Sequence, residues 1–134
     1  MNNRLKVGDK ASLTKVISDE DVRQFAAITE DANPIHLDEE FAAQSIFGQR
    51  IAHGMLVASL FSGLIGMEVP GKGTIYMGQD LKFRAPVPIG TRVTATVEVI
   101  KIRDDKPIAT LRTVCTNEAG EIVIDGEAVV RIPG

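Results

Sequence analysis

The residues best suited to chemistry stand in one short stretch, Asp31-Ala32-Asn33-Pro34-Ile35-His36. An aspartate and a histidine together can accept and release protons near neutral pH, and general acid/base catalysis of this kind contributes ~10²–10⁴-fold to a rate. The two are separated by a proline-stiffened segment, so they share a water molecule only if the chain turns back on itself. Taken singly, Asp, Asn and Pro are ordinary loop residues. On that plainer reading Asp31 caps the loop and His36 is a hydrogen-bonded surface residue.

A second candidate is His53-Gly54, at the entry to the apolar stretch Met55 to Gly66. Free backbone N–H groups at a helix start suit a developing oxyanion, and Gly54 would let a ligand approach the backbone closely. A glycine chosen only for conformation is the competing reading. His53 could cap the helix, line a pocket or pack. Ser59, Ser62 and Gly66 recur on one side of the helix beside Ile65 and Val69. A thin acyl chain fits such a stripe, and so does close packing of helix on sheet.

Other chemistries find less support. Asp31, His36, Asp38 and His53 are potential metal ligands, but no His-x-x-x-His pair, Cys partner or His-Glu-x-x-His helix accompanies them, so no metal is expected. Gly71-Lys72-Gly73 and Val87-Pro88-Ile89-Gly90 lack the strand–loop–helix context of a dinucleotide site and read as turns. No serine occupies a nucleophile-elbow sequence, and Cys115 falls in a strand pattern without a histidine nearby.

These residues need a scaffold, and hydrophobic periodicity outlines it. Ser18 followed by Asp19, Glu20 and Asp21 marks an N-cap, and Val22, Phe25, Ala26 and Thr29 continue at helical spacing. Asn33-Pro34 interrupts that pattern, which places the Asp–His motif on a loop. A short helix is expected from Asp38 to Gln44. The Met55–Gly66 helix is apolar on nearly every face and should be enclosed. From Thr74 the period changes to two. Ile75, Met77, Leu81 and Phe83 share one strand face, Val93 to Val99 alternate with polar residues, and the runs Pro107–Thr116 and Ile122–Ile132 follow. Gly78 and Gly126 would permit bulges. Strands joined by short turns predict an α+β domain, an antiparallel sheet curved around one central helix.

Composition sets the remaining bounds. With 134 residues and 44% hydrophobic content, residues 1–134 make a single domain. The net charge of -3 argues against nucleic acid or an anionic membrane as partner. Cys115 is the one cysteine, so no internal disulfide forms. Met1 to Lys10 lacks the apolar core of a signal peptide, and Met55–Met67 falls short of the roughly 18–20 residues of a spanning helix. A cytoplasmic protein is expected.

Three segments together carry a resemblance. Phe25 to Asp38, Ile51-Ala52-His53-Gly54-Met55, and Phe83 to Val93 resemble the MaoC-like, (R)-specific enoyl-CoA hydratase family, and the likeness covers nearly the whole chain. It departs at Glu30, where the family commonly has glycine. The resemblance implies a hot-dog fold and a homodimer whose sheets join edge to edge. It implies that Asp31 and His36 hold the attacking water and that the Gly54 N–H binds the thioester oxygen. Asn33, His53, Ser62 and Ile65 would serve substrate binding. No cofactor is implied, because CoA arrives as part of the acyl-CoA substrate. Lys72, Lys82, Arg84 and Arg103 are possible contacts for its phosphates. The same residues would suit a 3-hydroxyacyl-ACP dehydratase. A non-catalytic module binding acyl-CoA and a hot-dog thioesterase are further alternatives, against which the Asp-x-Asn-Pro-x-His pattern argues.

Overall fold

The structure, a computed structural model, describes residues 5–133; Met1 to Arg4, where the signal-peptide reading begins, and Gly134 lie outside the described residues. In chain order the elements are β1 (Lys10–Val16), α1 (Asp19–Thr29), α2 (Pro34–Leu37), α3 (Glu39–Ala43), α4 (Gly54–Ala58), α5 (Leu60–Met67), β2 (Ile75–Gln79), β3 (Lys82–Phe83), β4 (Arg92–Ile102), β5 (Ile108–Asn117) and β6 (Ile122–Arg131). The sheet is antiparallel in the order β1-β4-β5-β6-β2, with β3 pairing beside β2 on β6. Period-two alternation sends Val93, Ala95, Val97 and Val99 of β4 and Ala109, Leu111 and Cys115 of β5 to one buried face. There they meet Val57, Phe61, Leu64 and Ile65 from α4 and α5. The core is thus a helix laid on a sheet, as the period change at Thr74 predicts.

Four local differences have physical causes. First, β1 was not expected as a strand: Lys10-Ala11-Ser12-Leu13-Thr14-Lys15-Val16 pairs with β4 at the sheet edge, where only one side needs apolar residues and Ala11 and Leu13 suffice. Ser12 and Thr14 face outward and hydrogen-bond Thr96 and Thr94 across the pair. Second, the Asp–His motif does not lie wholly on a loop. Pro34 starts the one-turn helix α2 instead of preventing it, because the first helical position needs no N–H donor and favours the proline φ.

Third, the apolar helix is two segments joined at Ser59, and it is covered on one side only. Val57, Ala58, Phe61, Leu64 and Ile65 are buried, whereas Met55, Ser59, Ser62, Gly63 and Met67 face away from the sheet. Fourth, the expected strand through Ile75, Met77, Leu81 and Phe83 breaks at Asp80. The register shifts between Tyr76 and Gly78, which resets the alternation and leaves Ile75, Met77 and Phe83 exposed.

The corner between β2 and β3 crosses β6 at Gly126, and the Asp80 N–H donates to the Glu127 carbonyl at 3.0 Å. A Cβ on Gly126 would lie 2.0 Å from the Asp80 carbonyl oxygen, a backbone atom unable to swing aside. Gly126 therefore serves this close crossing. Gly126→Ala is expected to lower stability by about 2–3 kcal/mol through overpacking, read as a drop in the midpoint of denaturant unfolding.

Candidate active site

The chain from α1 to α2 is built to hold Asp31 and His36 close together. The capping box of Ser18 with Asp21 starts α1, and Glu30 ends it at φ 67°, ψ 12°. That left-handed conformation is the one glycine adopts freely. Glu30 keeps it at a cost of about 1–2 kcal/mol, so the departure from the family residue leaves the turn intact. Asp31 follows; its N–H donates to Thr29 Oγ1 at 3.2 Å and its Oδ1 accepts the Asn33 N–H at 3.2 Å. Asn33 in turn caps α2, its Oδ1 accepting the Ile35 N–H at 3.1 Å. One carboxylate oxygen of Asp31 is thereby occupied in the turn.

His36 is 8% exposed, and its Nδ1 donates to the Ile51 carbonyl at 2.7 Å. A carbonyl can only accept, so in the neutral ring the proton sits on Nδ1 and Nε2 carries the lone pair. The His53 ring stacks on His36 with centroids 3.8 Å apart and planes 27° apart. His53 Nε2 donates to the Asp31 carbonyl at 2.9 Å, while its Nδ1 is buried without a partner among the described residues. Asp31, His36 and His53 each bring a donor atom within 4.8 Å of the others. Each ring has already committed one nitrogen to a backbone carbonyl. One nitrogen of each ring remains uncommitted.

Burial is the main influence on the His36 pKa and pushes it below the ordinary 6.5. The bond to the Ile51 carbonyl opposes that, His53 lowers it further, and the Asp31 charge raises it. The imidazole is therefore neutral at neutral pH and ready to accept a proton.

Gly54 opens α4, and its N–H takes part in no hydrogen bond among the described residues, as is normal for the first turn of a helix. It borders a cavity of about 520 Å³ whose walls include Ile51, Met55, Phe83, Arg84 and Val87. A Cβ at this position would come within 2.5 Å of the Phe83 ring, so a side chain would displace the cavity wall beside the free N–H. The backbone at Ile51 connects the two halves of the site: Ile51 lines the cavity and its carbonyl holds the His36 ring.

The structure brings Asp31, His36 and His53 together and sets Gly54 next to them in the chain. It separates the other expected substrate contacts. Asn33 is exposed with its Oδ1 on the α2 cap, and His53, 2% exposed, stacks on His36; neither lines the cavity, nor do Asp31 and His36 themselves. Ser62 points outward from α5 and Ile65 is sealed in the core, so neither borders this cavity. Among the basic residues only Arg84 reaches it, tethered to Asp125 at 3.0 Å; Arg103 pairs with Asp105. Phe83 and Arg50 escaped the sequence reading. The alternation places Phe83 only on one strand face with Ile75, Met77 and Leu81, and Arg50 sits in Gly48-Gln49-Arg50, which has no periodicity to interpret.

A helix packed on an antiparallel sheet, with an Asp–His pair beside the N-terminus of that helix, defines a hot-dog enzyme fold of the dehydratase kind. The family model described as MaoC like domain matches residues 3–119, and the chain belongs to that family. It is 54% identical over 129 residues to an (R)-specific enoyl-CoA hydratase of Aeromonas caviae, covering 96% of both chains. The solved (R)-hydratase from A. caviae involved in PHA biosynthesis superposes with a TM-score of 0.97 at 53% identity, covering 98% of this chain and 100% of that one. A mitochondrial 3-hydroxyacyl-(acyl-carrier-protein) dehydratase of Solanum lycopersicum is 41% identical, covering 98% of this chain and 80% of its own.

The His36 resonances are expected to titrate with a midpoint below 6.5 in an NMR pH series. Between that midpoint and 6.5 the unfolded chain binds more protons than the folded one. This group's contribution to stability is thus fully present above 6.5 and declines as pH falls through that window. A midpoint at or above 6.5 would contradict the burial argument.

Proposed function

We propose that this chain adds water reversibly to trans-2-enoyl-CoA to give (R)-3-hydroxyacyl-CoA, with Asp31 and His36 as the acid/base pair and Gly54 as the oxyanion donor. The observation that carries the reading is the Asp31–His36 pair, with side-chain N and O atoms within 4.8 Å, held against His53, the N-cap of α4, whose next residue Gly54 borders the cavity with an unpartnered N–H. Water gives up a proton to the pair as its oxygen bonds to Cβ. The π electrons of the double bond move toward the thioester, and the Gly54 N–H stabilises the charge that develops on its oxygen. The pair then returns a proton to Cα, which leaves one hydroxyl on Cβ and one new C–H bond. The His36 Nε2 lone pair and the uncommitted Asp31 oxygen are the atoms available for these transfers. Read backwards, the same steps dehydrate the 3-hydroxy thioester. No group beyond chain and substrate enters the scheme.

The homodimer is part of this reading. Strand β2 ends the sheet order and exposes Ile75 and Met77, an apolar edge suited to pairing with a second copy. No described helix is long and apolar enough to cross a membrane. Cys115 is buried, its thiol pushed up to about 11 by desolvation, so it serves as a packing residue.

Purified protein is expected to consume the enoyl absorbance of trans-2-butenoyl-CoA and yield the (R) product on chiral analysis. Asp31→Asn and His36→Gln should each reduce kcat by about 10²–10⁴-fold while remaining folded by circular dichroism. Normal turnover in both folded variants would remove the assignment, and faster turnover of the matched ACP thioester would transfer it to the dehydratase alternative. Lysine at both Ile75 and Met77 is expected to shift sedimentation toward monomer.

A further inference from the structure

Helix α2 is a single turn, too short to hold its own orientation, so its direction must be imposed from outside. The segment Arg50-Ile51 imposes it at three points. The Ile51 N–H donates to the Ile35 carbonyl at 3.3 Å, and the Ile51 carbonyl accepts from the His36 ring. At the third point Arg50 Nε donates to the His36 carbonyl at 2.7 Å. That carbonyl is in the last turn of the helix, where no backbone N–H satisfies it. The other arm of the same guanidinium binds Asp19 Oδ1.

We propose that Arg50 is a positioning residue for the Asp31–His36 pair, fixing the helical turn that carries the imidazole by bridging the His36 carbonyl to Asp19. Its kinetic consequence rests on the hydratase reading. The bridge is anchored at both ends. The Arg50 carbonyl accepts the Ile89 N–H at 3.3 Å and the Ala52 N–H donates to the Val87 carbonyl at 2.7 Å, which ties this segment to the loop before β4. Asp19 is the first residue of α1, the helix that runs into Asp31. The guanidinium thereby closes a ring of contacts, from Asp19 through Asp31 to His36, that contains both reacting side chains. Its own side chain is only 11% exposed while that of Asp19 is 50% exposed, so the bond to the His36 carbonyl is the better shielded of the two from water. The Asp19 carboxyl lies below the ordinary carboxylate range, chiefly through Arg50 and then Arg23, so the anchor stays ionised. Reaching a carbonyl and a carboxylate at once needs the guanidinium fork; one lysine ammonium in its place serves one of them well.

The test compares Arg50→Met, Arg50→Lys and Asp19→Asn with wild type, using trans-2-butenoyl-CoA turnover, thermal unfolding and 15N spectra of the His36 imidazole. Arg23→Ala, which removes a partner of Asp19 without touching α2, is the control. For Arg50→Met, kcat should fall about 10–100-fold with KM within about threefold, since a displacement near 1 Å has consequences of that size. Its His36 spectrum should lose the single Nδ1–H tautomer. Arg50→Lys should recover part of kcat, Asp19→Asn should fall between Lys and wild type, and Arg23→Ala should stay within about twofold. The proposal is overturned if folded Arg50→Met keeps kcat within about twofold and the tautomer unchanged, or if all variants lose activity only in proportion to thermal stability. Inert wild-type protein would overturn the hydratase reading alone, and the imidazole spectra would then decide whether Arg50 fixes His36.

Discussion

The hydrogen bond from His36 Nδ1 to the Ile51 carbonyl is the interaction on which the site depends. A histidine can present a lone pair or a proton on the same nitrogen, and which it presents is set by what the other nitrogen binds. The acceptor here is a backbone carbonyl in a segment already bridged to Pro88, so it cannot turn away to become a donor. The choice of tautomer is thus made by the main chain and inherited by Nε2. Burial beneath the stacked His53 ring then keeps that nitrogen unprotonated at neutral pH. Geometry and electrostatics act in the same direction, and neither alone would define a base.

The surrounding structure follows from the need to keep that carbonyl, the Asp31 turn and the Gly54 N–H in fixed relation. Gly54 is part of α4, which continues through Ser59 into α5, and α5 packs on β4 and β1 in the main core. The segment ending in Gly54 is pinned to the loop at Val87–Ile89, and that loop leads directly into β4. Both halves of the site therefore refer to the same strand. Asp31 is held differently, by a chain of short-range bonds from Thr29 through Asn33 to Ile35 together with one distant donor, His53, on its carbonyl. A left-handed Glu30 provides the reversal that lets this chain start.

The sequence was legible where periodicity or a cap decides the outcome. Ser18 and Asp21 announced α1, and the alternation at Val93 to Val99 announced β4, because burial of one face leaves a direct trace in residue type. Where the constraint is supplied by another part of the chain, the trace disappears. Residues Lys10–Val16 form a strand because the β4 edge offers hydrogen bonds, and their polar composition carries little sign of it. Ser59, Ser62 and Gly66, beside Ile65, suggested an acyl groove by their spacing, but which side of the helix faces the sheet is settled by Phe61 and Leu64 packing on it. The Asp–His motif was visible as a pattern. Its working geometry was not, since the residues that create it, Arg50, Ile51 and His53, bind main-chain carbonyls or stack, and nearly any local sequence allows those interactions.

This division between visible reactants and hidden supports has a physical basis. A reacting side chain must have a particular chemical identity, so it appears in the sequence as a type. A supporting contact to a carbonyl uses an acceptor that every residue possesses, so only the donor is specific. Three of the contacts that orient the dyad are of this form: His36 to Ile51, His53 to Asp31 and Arg50 to the His36 carbonyl. Ile51 could be exchanged for another residue of similar size without losing the acceptor that fixes His36. The donors could not be exchanged so freely. His36, His53 and Arg50 each contribute a directional N–H from a side chain of limited freedom, and those three bonds, more than the apolar walls of the cavity, hold the Asp31–His36 pair to the main chain.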